Sequence, residues 1–164
     1  MARRTGDTQA QDRQLPRKDF ALAERPGYLL HKAALMMAEE AEAGLEAAGM
    51  KTRVFFVLAS LAGAPDLSQQ DLSRLLNLDP TTVVSVIDDL EDRKYVQRQR
   101  NPSDRRRYLL NLTDTGREAL AATDQVATEL EASFFATLSP KERTTLLKLL
   151  SKLMAGRWPA SVCP

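Results

Sequence analysis

The residues best equipped for chemistry in this sequence are arginines. Arg105, Arg106 and Arg107 stand together in NPSDRRRYLLNLTDTG, ahead of an apolar run, with Asp104 directly before them. Guanidinium groups at that density recognise polyanions by charge and paired hydrogen bonds; they do not break bonds. Between Arg93 and Arg107 seven basic residues (Arg93, Lys94, Arg98, Arg100, Arg105, Arg106, Arg107) stand against one acid, Asp104. That stretch carries +6 in a chain of net charge +1, which leaves −5 elsewhere. A basic stripe on an otherwise acidic body is the footprint of a polyanionic partner. An aspartate two residues before an arginine can hold its guanidinium, which gives Asp104 the task of aiming Arg106.

Other chemistry is thinly represented. His31 is the only histidine and Cys163 the only cysteine, too few ligands for a zinc site and no partner for an internal disulfide. No nucleophile elbow, phosphate loop or spaced carboxylate pair is present, so neither an enzyme nor a cofactor is expected. Tyr28, His31 and Leu35 share one helical face, and Arg53 could pair with an acidic ligand; these form a candidate effector site. The competing reading of His31 is a hydrogen-bonded interface histidine. With 164 residues, 43% hydrophobic and 27% charged, the chain can bury roughly 70% of its unfolded surface in one core. No apolar run approaches the ~18 residues that span a bilayer, so a cytoplasmic protein without membrane contact is expected.

The elements that must position the arginines follow from periodicity and caps. Residues 1–22 are polar and aperiodic, the pattern of a flexible arm. Leu30, Ala34, Met37, Ala41, Leu45 and Ala48 follow one helical face, ended by Gly49. Tyr28 to Ala38 is apolar nearly all round, which predicts packing on two sides and hence a subunit interface. Thr52 to Ala62 is a short apolar helix. Ser68 with Asp71 caps the next, and Asp79 with Pro80 opens another whose inward stripe is Val83, Val86, Ile87 and Leu90. The tight joint at Asn77 and Leu78 makes a helix-turn-helix. Tyr95–Arg100 and Arg107–Leu112 then read as a hairpin, Thr113 caps a long helix, and Ser139 with Glu142 boxes a last one carrying Leu146, Leu150 and Leu153.

Helix-turn-helix followed by an arginine-loaded hairpin is the order of a winged helix. A helix fits the major groove and a hairpin tip reaches the minor groove, where narrow geometry favours arginine. On Asp104, Arg106, Leu112 and Thr113, which match the wing pattern D-x-R-x5-L-T, and on LDPTTVVSVIDDLEDRKYV, the chain resembles the MarR (multiple antibiotic resistance regulator) family over about Tyr28 to Met154. The implied fold is mainly α with a small β-hairpin wing, a winged helix-turn-helix plus a helical dimerisation region. Its expected parts are the arm at 1–22, dimerisation helices at 23–50 and 113–156, the DNA-binding domain at 51–112 and a tail at 157–164.

The resemblance implies a homodimer on a pseudo-palindromic double-stranded operator, released by a small aromatic or phenolic effector. Pro80, Thr81, Thr82 and Ser85 would lie at the exposed start of the recognition helix, with Ser68 and Gln69 at phosphates and Arg106 in the minor groove. Arg98, Arg105 and Arg107 complete the expected basic contacts. In one respect the chain departs from arginine-to-guanine readout. The recognition helix has no basic residue before Arg93 and carries Asp88, Asp89, Glu91 and Asp92. Specificity would then lean on Thr81, Thr82, Val84 and Ser85, with the acids turned away from DNA. The alternative function is a winged-helix protein-interaction module without DNA binding.

Overall fold

The computed structural model describes residues 20–64, 66–101 and 108–158. Its contacts divide the chain into two units, Met1–Met36 and Met37–Pro164. In the first, a 3-10 turn at Ala21–Glu24 leads into helix α1, Pro26–Ala47, which continues into the second unit. Pro26 suits the first helical turn because its missing N–H would have no partner there. Phe20 packs edge-on against Tyr28, with ring centroids 5.9 Å apart and planes at 74°. Leu29, Leu30, Leu35 and Met36 are all exposed, as an apolar surface on more than one side requires.

The second unit holds the core. At the end of α1, Gly49 takes φ 82°, and the N–H groups of Gly49 and Met50 donate to the carbonyls of Glu46 and Leu45. This closure satisfies two end carbonyls and brings Met50 and Leu45 together inside. Helix α2, Thr52–Gly63, buries Val54, Val57, Leu58 and Leu61. Helices α3, Gln69–Leu76, and α4, Pro80–Asp92, are joined through Asn77, whose φ of 51° is a left-handed conformation that asparagine tolerates. Strands β1, Val96–Arg100, and β2, Tyr108–Leu112, pair antiparallel from Val96 opposite Leu112 to Arg100 opposite Tyr108. Leu110 also donates its N–H to Leu67 at 2.9 Å, so the segment before α3 adds one bridge to the hairpin. Helices α5, Asp114–Phe134, and α6, Pro140–Met154, complete the unit.

One detail departs from the sequence expectation. β1 begins at Val96 and not at Tyr95, because the Tyr95 N–H bonds back to Leu90 and so closes α4. On α6, Leu146 and Leu150 are half-buried and Leu153 is 48% exposed.

Candidate nucleic-acid interface

The best-defined candidate surface is one side of α4. Asp79 caps the helix, its carboxylate accepting the Thr82 N–H at 2.8 Å and the Thr82 hydroxyl as well. The Thr82 hydroxyl, then its N–H, hold the Asp79 carboxyl below its ordinary range. Val83, Val86, Ile87 and Leu90 turn inward, which forces Thr81, Val84, Ser85 and Asp88 outward in one row three and four residues apart. A cap, a proline start and a buried opposite face thus present hydroxyls and methyl groups on a rigid rod. Hydroxyls can bond base edges and methyls can meet thymine methyls. Thr82 is half-buried and engaged with Asp79.

The acids of α4 do not simply turn away. Asp88 continues the exposed row and is neutralised in place: Arg98 Nη2 lies 2.6 Å from its carboxylate, while Arg98 Nη1 bonds Glu91. The Arg98 N–H donates to the other Glu91 oxygen at 3.1 Å. One turn round, Arg93 Nε meets Asp89 at 3.1 Å. Sequence reasoning missed the Arg98 pairs because partners 7 and 10 residues away meet only once β1 folds back on α4.

At α3 the Ser68 hydroxyl donates to Asp71 at 2.6 Å and accepts the Asp71 N–H, while the Ser68 N–H donates to the same carboxylate. With 5% exposure, Ser68 fixes where the helix starts. The Gln69 side-chain nitrogen is buried with no hydrogen-bond partner among the described residues. On the hairpin, Arg100 is exposed at the outer end of β1, whereas the Arg98 side chain is 23% exposed. Asp104, Arg105, Arg106 and Arg107 lie outside the described residues, as does Cys163.

The base of the hairpin is latched to α5. The Thr113 hydroxyl donates to the Lys94 carbonyl at 2.5 Å and accepts the Gly116 N–H at 3.0 Å; the Thr113 N–H donates to Tyr95. A β-carbon on Gly116 would strike the Tyr95 carbonyl.

The candidate effector residues are less concentrated. Tyr28, edge-on against Phe20, and exposed His31 belong to the first unit; Arg53, exposed at the start of α2, belongs to the second. Within the second unit, a groove of about 610 Å³ runs between α5 and α6 past Phe135, Leu146 and Leu150, and a cavity of about 110 Å³ lies among Ala41, Leu45, Phe55 and Leu130. Arg53 lines neither. Among the described residues no cluster of three or more His, Cys, Asp or Glu could hold a metal, and no helix is long and apolar enough to cross a membrane.

Comparison with known proteins agrees with this geometry. The MarR family model matches residues 48–107, from just after α1 to just before β2. A putative transcriptional regulatory protein for the hcr operon of Thauera aromatica is 36% identical over 105 residues, covering 64% of this chain and 63% of that protein. The match thus spans less than two thirds of that curated relative. A crystal structure of a mutant MarR from E. coli complexed with operator DNA superposes with a TM-score of 0.67 at 26% identity, covering 78% of this chain and 92% of that one. A MarR family protein of Mycobacterium tuberculosis in complex with salicylic acid also gives a TM-score of 0.67, at 28% identity, over 78% and 95% of the two chains.

Proposed function

Because the chain belongs to the MarR family, we propose that it is a sequence-specific DNA-binding transcriptional regulator that grips a pseudo-palindromic operator as a homodimer. The observation that carries this reading is the exposed row Thr81, Val84 and Ser85 on α4, held rigid by the buried stripe behind it and followed at once by the hairpin. Thr81, Val84 and Ser85 read base edges from the major groove, with Pro80 and Thr82 setting the helix start. Arg100 and the basic residues 105–107 supply charge at the wing, and Gln69, the first residue of α3, meets a phosphate. A homologous structure holds operator DNA, which supports the same docking here.

Release by a small aromatic or phenolic acid completes the proposal. It is supported by the relative solved with salicylic acid. Such a ligand must favour one dimer geometry over another, since equal affinity for both shifts nothing. Tyr28 and His31, on one face of α1, are the residues proposed to meet it.

A gel-shift with the promoter beside the chain's own gene tests the core of the reading. A discrete, salt-sensitive complex that unrelated duplex does not displace is expected. Retention of no duplex at low salt would favour the protein-interaction module instead.

A further inference from the structure

Resting on the DNA-binding reading above, we propose that Arg98 is a positioning residue: it locks the wing's first strand onto the exposed side of α4 through Asp88 and Glu91, and is not one of the wing's phosphate contacts. Asp88 stands one turn beyond Thr81, Val84 and Ser85 on the same row, where a bare carboxylate would repel the phosphates. Arg98 covers it, with Nη2 at 2.6 Å, while Nη1 engages Glu91. Glu91 in turn takes the Arg98 N–H at 3.1 Å, so one carboxylate holds both the side chain and the backbone of β1.

The guanidinium is shared between two carboxylates and only 23% of the side chain is exposed. A cation paired twice has little left to offer a third anion. The bridge also sits at a junction. Arg98 pairs in register with Leu110, and Leu110 bonds Leu67 on the segment leading to α3. Fixing β1 there sets the wing relative to the recognition helix, and those two elements must enter adjacent grooves together.

The planar fork of arginine can engage two carboxylates at once; lysine keeps the charge but is a single point donor. That difference gives the test. The full chain is assayed against a duplex recovered from a random-sequence pool by repeated selection, and against an unrelated duplex, over a series of salt concentrations. Arg98→Lys is expected to weaken binding to the selected duplex by about tenfold or more. The unrelated duplex should be far less affected, and the log–log salt slope should hold. Asp88→Ala with Glu91→Ala should also weaken the selected complex, although it removes two negative charges beside a polyanion. Adding Arg98→Lys to that pair should bring no further loss. Should the paired variant fold poorly, Asp88→Ala alone carries the same expected sign, its side chain being 57% exposed.

Wild-type affinity in Arg98→Lys, or tighter binding once the acids are removed, would overturn the bridge alone. So would a salt slope in Arg98→Gln shallower by about 0.9 per contact, which marks a lost phosphate contact. A wild type that recovers no duplex would overturn the DNA-binding reading and this role with it.

Discussion

At the scale of single residues, the tightest constraint in the described structure is Gly116. Its N–H caps onto Thr113 while its Cα side faces the Tyr95 carbonyl with no room for a methyl group. The obstacle is backbone, which cannot rotate aside, so Gly116→Ala should destabilise by about 1–3 kcal/mol, read as a lower thermal unfolding midpoint. The sequence announces Thr113 as a cap but gives no sign of Tyr95, because that approach depends on the turn after α4. Asp104 and Arg106 are the reverse case: their pairing is argued from spacing alone. If Asp104 aims Arg106, Arg106→Ala should weaken operator binding by ~1–3 kcal/mol. Asp104→Ala should weaken it too, although removing an anion beside DNA predicts tightening. A double-mutant cycle decides between them, and tighter binding by Asp104→Ala would end the aiming account.

At the scale of elements, caps and periodicity made most of the helices legible. Ser68 with Asp71, Asp79 with Pro80, and Ser139 with Glu142 all act where local sequence places them. Local bonds between near neighbours are written in local sequence. The Leu67–Leu110 bridge and the Arg98 pairs were not legible, since each joins segments that meet only after the core has formed. The two sides of α4 should separate cleanly by mutation. Leu90→Ala, at a fully buried position, should cost about 2–5 kcal/mol of stability. Thr81→Ala, on the exposed row, should leave the unfolding midpoint nearly unchanged while weakening the operator complex. The cap has a pH signature as well. The Asp79 carboxyl is held below its ordinary 3.8 by the Thr82 hydroxyl and N–H. A depressed carboxyl contributes fully above its unfolded pKa and loses that contribution as pH falls through the lower folded value. The stability gap between wild type and Asp79→Ala should therefore be flat at neutral and mildly acid pH and close only below the ordinary carboxylate range. A gap that widens in acid would contradict the cap assignment.

At the scale of the whole molecule, apolar residues lie exposed on elements outside the core of the winged unit. On α6, Leu147 is 66% exposed, Leu149 61% and Leu153 48%, while Leu29, Leu30 and Leu35 stand open on α1. Scattered single leucines need no explanation, but several on one helix mark an interaction surface. Its proposed occupant is a second copy of the chain, because a pseudo-palindromic operator calls for two recognition helices related by a two-fold axis. Unfolding coupled to dissociation makes the midpoint depend on protein concentration, so heating scans across a wide concentration range should show it rise. Leu149→Glu with Leu153→Glu, one turn apart on the same side of α6, places charge in that surface. Sedimentation equilibrium should then shift from dimer towards monomer. Binding to a full operator should fall much further than binding to a half-site, because each α4 and its core remain intact. A wild type that sediments as a folded monomer at micromolar concentration would remove the dimer from the proposal. A double variant that stays dimeric would instead move the interface away from this face of α6.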